Sequence, residues 1–167
     1  MSDRLQAAAD ELAAQIGRVE RTGIGPVPAL WARRFAMACG ETDAVFFDDA
    51  AAAAAGWAGT PLPPLLLTAT RSWLPGPERD RLSDDGMPRV DIGIPAGHDL
   101  RVLGGGQSLH FHADAVAGVD LVAEVELVNA TPKEGRSGAL LVVELQRRFS
   151  TVSGEPLLTC DETRILR

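Results

Sequence analysis

The chain has 167 residues, a length that fits one domain, and is 46% hydrophobic and 23% charged, a balance that supports a buried core and argues against disorder. Its net charge is −7 and no basic stripe is visible, which excludes the usual nucleic-acid binder. Residues 1–17 lack the basic-then-apolar layout of a leader, and the longest apolar runs, 50–58 and 139–143, fall short of the roughly 20 residues that span a bilayer.

Two cysteines, Cys39 and Cys160, make neither a disulfide framework nor a metal-ligand cluster and are expected to be buried thiols of a cytoplasmic protein. In chain order, "RLQAAADELAAQI" spaces Leu5, Ala8, Ala9, Leu12 and Ile16 as one face of a helix, with Gly17 as its stop. The Gly- and Pro-punctuated segment 18–28 reads as loop or a short edge segment. Pro28–Gly40 reads as a helix with an apolar face of Leu30, Trp31, Phe35 and Ala38. "DDAAAAAAG" is a short helix capped by Asp48 or Asp49 and stopped by Gly56. "WAGTPLPP" is loop. Pro64 to Leu74 is apolar nearly all round, so a buried helix is expected there. Residues 77–88 are charged and turn-rich.

After Pro88 the period changes to 2. "RVDIGI", "QSLHFHADA", "VDLVAEVELVN", "ALLVVELQRRFSTV" and "LLTCDETRIL" read as half-buried antiparallel strands. In the fourth, Leu141, Val143, Leu145 and Phe149 share a face opposite Glu144, Gln146 and Arg148. Helices first and strands after predict an α+β fold, an antiparallel sheet wrapped around a buried helix.

Four pieces of this pattern resemble the MaoC-like hot-dog family, in its FAS1-like, N-terminal dehydratase form. "RRFAMACGETDAVFFD" is similar to the hydratase segment F-A-x-x-x-G-D-x-N-P-x-H. "AAAAAGWAGTPLPP" is similar to A-x-x-x-G-[YF]-G-G-x-x-A-P-P. "RVLGGGQSLHFHADAVAG" resembles the family's R-V-L-H-G-G-Q strand, and "KEGRSGALLVVELQRRFSTVSGEPL" its K-x-G-R-S-G hairpin. The pieces run in the family's order from Ile16 to Arg167. The resemblance implies one hot-dog domain over 1–167, with 1–17 as an N-terminal helical extension and Pro64–Leu74 as its long central helix. It also implies a dimer, homotypic or with a catalytic hot-dog chain, whose acyl-thioester pocket lies between subunits. The substrate would ride on coenzyme A or phosphopantetheine, in fatty-acid metabolism, with no metal, redox cofactor or membrane implied.

Family members that hydrate 2-enoyl thioesters use an Asp and a His, five residues apart, on one water. Here the Asp position is Glu41, one methylene longer, and the Asn position is Asp43. The His position is Phe46, which cannot carry a proton. Three readings follow. The chain is the non-catalytic half of a hydratase, with Phe46 lining the substrate channel; or it acts alone as a hydratase or thioesterase through Glu41, partnered by His110 or His112; or it only binds acyl thioesters. By the same resemblance Gly59, Pro63 and Pro64 lead into the central helix, whose first N–H groups would polarise the thioester carbonyl. His112 matches the strand histidine and Gly105 a strand glycine. "GGG", Gly104 to Gly106, otherwise reads as a bulge or close packing against the central helix. Arg71, Arg89, Arg101 and Lys133 are candidates for carrier phosphates, though each reads first as solvated surface. His98 is expected to face solvent, and three histidines without Cys/His spacing make no metal centre.

Overall fold

The computed structural model describes residues 3–70, 76, 78–82, 84, 86, 92–95, 98, 100–136 and 138–167. Alternation of buried and exposed side chains builds the sheet. In the strand Gly138–Thr151, positions 141, 143, 145, 147, 149 and 151 are all buried, the signature of one face turned to a core. Numbered in chain order, the strands are β1 (Val19–Pro26), β2 (Val102–Phe111), β3 (Asp120–Gly135), β4 (Gly138–Thr151) and β5 (Pro156–Leu166). They form one antiparallel sheet in the order β1-β3-β4-β5-β2. β3 to β5 are a meander, and β1 and β2 are the edges. Segment 18–28, read as loop or edge, is the edge strand β1.

The helices are α1 (Asp3–Ala13), α2 (Ala29–Ala38), α3 (Asp49–Ala54) and α4 (Leu66–Ala69). Two clusters cover the sheet's apolar face. α1 sets Leu5, Ala8, Ala9 and Leu12 against Val125, Leu127, Leu141, Val143, Leu145 and Leu166. Leu66 and Leu67 of α4, with Ala32 of α2, pack with Leu121, Phe149, Leu157 and Leu158. Each leucine, valine or phenylalanine among them, fully buried, contributes roughly 1.5–3 kcal/mol, and each alanine less.

Several expectations change. Of the predicted helix Pro64–Leu74, the described part is α4, which closes on Thr70; residues 71–74, and with them the rest of the expected long central helix, lie outside the described residues. Leu66, Leu67 and Thr70 are buried, but Leu65 is 51% exposed, so the helix is not buried all round. "RVDIGI" makes no named strand. Residues 89–91 lie outside the described set, and Ile92 and Gly93 form a turn, because Gly93 takes φ +73° and cannot continue an extended run. A Cβ there would lie 3.0 Å from Val143 Cγ1, so this turn lies flat on β4. In α2 the buried stripe is Ala32 and Ala36, not Leu30 and Trp31, which are exposed. The small alanines let the helix approach closely and turn the bulky side chains outward. α1 ends at Ala13, leaving Ile16 exposed, and Cys39 is exposed while Cys160 is buried.

The glycine run in β2 is a bulge: the register with β5 shifts between Gly104 and Gly106. Gly105 packs against β5 rather than a helix. A Cβ on it would stand 2.9 Å from Thr163 Cγ2 and 3.0 Å from the Thr163 carbonyl oxygen. Gly105→Ala is therefore expected to cost about 1–3 kcal/mol, read as a lower urea midpoint at unchanged slope. A midpoint equal to wild type would disprove the close packing.

Candidate active site

α2 ends at Ala38, and Gly40 just past its C-cap, with a φ of +76°, turns the chain into a polar loop. The Glu41 carboxylate folds back on that loop: Oε1 accepts from the backbone N–H of Thr42 at 2.9 Å and of Asp43 at 3.2 Å. Asp43 Oδ1 accepts from Val45 N–H at 3.1 Å and so opens a 3-10 turn over Ala44–Phe46. Asp48 caps α3 through Ala51 N–H at 2.9 Å. Asp49 receives Arg33 Nη2 at 2.7 Å and Thr60 Oγ1 at 3.0 Å. These two hydrogen bonds and the guanidinium charge hold it below the usual carboxylate range. Glu41 and Asp43 are exposed and Phe46 is half-buried. No hydrogen bond or ion pair among the described residues joins Glu41 to His110 or His112.

The following loop is tied to the β2–β3 connection. Pro61 bridges Val116, Leu62 N–H donates to the Ala115 carbonyl at 2.8 Å, and Ala117 N–H donates to the Thr60 carbonyl at 2.9 Å. Gly59 faces Val116 at ordinary contact distance. This pairing creates two cavities that share Asp114 and Ala115. One, of about 300 Å³, lies between Trp57 and the β4–β5 turn and includes Thr151, Glu155 and Leu157. The other, of about 130 Å³, lies beside the start of α4 between Pro63, Pro64, Leu67 and Phe111. Of the residues singled out from sequence, Pro63 and Pro64 meet at this second cavity. Glu41, Asp43, Phe46, Gly59, Gly105 and His112 line neither.

His112 stands on the sheet's other face, where its Nε2 lies 2.8 Å from Thr159 Oγ1. His98, expected to face solvent, is half-buried and pairs with Glu11 Oε2 at 3.0 Å. Arg101 and Lys133 are exposed; Arg71 and Arg89 lie outside the described residues. Among the described residues no group of three or more metal-ligating side chains occurs.

Sequence reasoning missed a charged belt between the two apolar clusters. Arg147 shares the buried face of β4, and Glu162 and Arg164 share that of β5. Glu162 Oε2 accepts from Arg147 Nη2 at 2.7 Å, and its Oε1 from Arg164 Nε at 2.8 Å. Arg164 Nη1 also donates to the Ile92 carbonyl at 3.0 Å. Burial pushes the Glu162 carboxyl up, but the Arg147 charge and the Arg164 hydrogen bond outweigh it and hold it low. Burial, then the Glu162 charge, pushes the neighbouring Cys160 thiol up, which keeps it protonated and inert. Position 147 lies two residues from Leu145 and from Phe149, so the period-2 phase was the available signal.

A single antiparallel sheet whose apolar face receives a helix entered through a Gly/Pro loop defines a hot-dog domain. The chain belongs to the FAS1-like dehydratase-domain family, whose model (FAS1-like, dehydratase domain region) matches residues 14–160, and so to the MaoC-like hot-dog proteins. No curated protein matches its sequence. Among solved structures it is similar to a chain of the ChsH1–ChsH2 complex from Mycobacterium tuberculosis, at 18% identity over 98% of this chain and 96% of that one, with a TM-score of 0.69. It is similar to a chain of the HadBC (3R-hydroxyacyl-ACP dehydratase) complex from Mycobacterium tuberculosis, at 19% identity, 90% and 96% coverage, and a TM-score of 0.65. A MaoC-like dehydratase from Rhodospirillum rubrum follows at 19% identity, 90% and 91% coverage, and a TM-score of 0.61. At these identities the likeness is one of fold.

Proposed function

We propose that the chain is the substrate-pocket half of an (R)-specific enoyl-thioester hydratase, or 3-hydroxyacyl-thioester dehydratase, completed by a second hot-dog chain. The observation that carries this is the loop. The histidine position holds Phe46, and the carboxylate that replaces the aspartate is taken up by its own backbone amides. Hydration puts the water oxygen on the β-carbon and a proton on the α-carbon, so one group must take a proton from water and one must deliver a proton to carbon. Phe46 does neither, and a partner's Asp and His would do both. This chain then contributes apolar wall at Pro63, Pro64, Leu67 and Phe111 beside the helix start, and the open edge of β2 for pairing. The substrate would arrive on coenzyme A or phosphopantetheine. The two complexes named above, in which hot-dog chains assemble, favour a heteromer over a lone subunit.

The test is hydration of crotonyl-CoA by the purified chain, alone and mixed with a catalytic MaoC-like hot-dog chain. No turnover alone and turnover in the mixture are expected, with Glu41→Ala changing the mixed rate less than about threefold, a loss under about 0.7 kcal/mol of transition-state binding. Turnover by the chain alone that Glu41→Ala abolishes overturns the half-site reading. Hydrolysis of the thioester without hydration indicates a Glu41 thioesterase. Binding without turnover in both settings indicates a binding module.

A further inference from the structure

His110 in β2 and His112 one residue beyond its end are histidines that the reading above does not use. His110 and His112 are two residues apart, so both rings stand on the same side of the strand. Both are exposed, and their ring centroids are 4.7 Å apart with planes inclined at 63°. Thr159 of β5, directly opposite His110 in the register, holds His112 Nε2 at 2.8 Å.

We propose that His110 and His112 form a two-imidazole chelate for a borderline divalent cation such as Zn²⁺, Ni²⁺ or Cu²⁺. Imidazole nitrogen is the ligand these ions favour over Mg²⁺ or Ca²⁺. The spacing supports this. A metal–nitrogen bond of about 2.0–2.1 Å puts each ring centroid about 3.2 Å from the ion. Two rings subtending the roughly 90–109° of octahedral or tetrahedral coordination then have centroids about 4.5–5.2 Å apart. The observed 4.7 Å lies inside that window. Rotation about each metal–nitrogen bond leaves the angle between ring planes free, so 63° is admissible. When the Thr159 hydroxyl accepts, His112 Nε2 carries the proton and the Nδ1 lone pair is left for the ion. The strand register fixes the two backbone positions, and the Thr159 hydroxyl restrains the His112 ring. Two protein ligands leave the remaining positions to water or to a group from another molecule. They lie on an edge strand, where another chain would approach.

The experiment is calorimetric titration of the full, tag-free chain with NiCl₂ and with ZnCl₂, accompanied by proton NMR of the three histidine rings. One ion per chain is expected, with His110→Ala and His112→Ala each weakening binding about tenfold or more and Thr159→Val weakening it severalfold. His98→Ala is the control, because that ring is engaged with Glu11, and it should leave binding unchanged. Ni²⁺ should broaden two imidazole signals and spare the third. No binding at millimolar metal overturns the proposal. So does equal binding by wild type and the His110→Ala/His112→Ala double variant, or broadening of the His98 signal first. Both histidines are exposed, and circular dichroism of each variant checks that the fold is retained.

Discussion

Replacing Glu162 with glutamine is expected to cost the chain about 3–5 kcal/mol of folding stability, the usual consequence of removing one partner from a buried ion pair. The carboxylate is 14% exposed and bridges two guanidiniums, Arg147 at 2.7 Å and Arg164 at 2.8 Å, themselves 9% and 10% exposed. A glutamine keeps the size and one acceptor but not the charge, so two buried cations face each other across a neutral amide. The loss also frees the Arg164 contact to the Ile92 carbonyl, which fastens the turn on β4. The effect depends on pH. The folded-state carboxyl titrates below the ordinary value of 4.5. Its stabilisation is therefore fully present above about pH 4.5 and disappears as pH falls through the lowered folded value. Urea unfolding at pH 7 should separate wild type from Glu162→Gln widely, and the gap should narrow in acid. A gap under about 0.5 kcal/mol at pH 7, the range of an ordinary surface substitution, would sink this account.

Leu12→Ala is expected to cost about 2–5 kcal/mol, as for a fully buried leucine. Leu12 is completely inaccessible and sits with Leu5, Ala8 and Ala9 against Leu127, Leu141, Val143 and Leu145. The chain after α1 is also tied to the sheet: Gly17 N–H donates to the Leu127 carbonyl at 2.8 Å, and Leu127 N–H to the Arg18 carbonyl at 3.1 Å. α1 thus covers one of the two apolar clusters on the sheet. Ile16→Ala, at a side chain 47% exposed just beyond the helix, should shift stability by less than about 0.5 kcal/mol. Equal effects of the two substitutions in urea unfolding would mean that α1 does not pack as described.

Much of the fold was legible because its signals are local. Leu141, Val143, Leu145 and Phe149 alternate with polar neighbours, and the buried face of β4 follows them. The α1 stripe of Leu5, Ala8, Ala9 and Leu12 is likewise the buried stripe. The loop of the candidate site was legible as a polar turn between α2 and α3, because Gly40, Asp43 and Asp48 are stop and cap residues acting within a few positions of themselves.

Other features depended on what each segment meets. "RVDIGI" has the alternation of a strand, but Gly93 turns it onto β4 and Arg164 holds its carbonyl. α2 was expected to bury Leu30 and Trp31, yet it buries Ala32 and Ala36, because close approach to the sheet favours the smaller side. Arg147 was passed over on an otherwise apolar face because charge by itself suggests solvent. Glu162, fifteen positions later in the chain and diagonal to it across the β4–β5 ladder, helps make its burial tolerable.

The amino-acid sequence by itself determined the phases of β2 to β5, the stops after α2 and α3, the family and the replacement of the loop histidine by Phe46. These follow from side-chain periodicity, turn chemistry and residue identity, which act over a few positions. Tertiary structure alone decided where the Glu41 carboxylate turns, that Pro63 and Pro64 share a cavity with Phe111, and that His110 and His112 stand 4.7 Å apart beside Thr159. Apart from Glu41, whose amide partners are its neighbours, each depends on segments distant in the chain, and no local pattern encodes the distance between them.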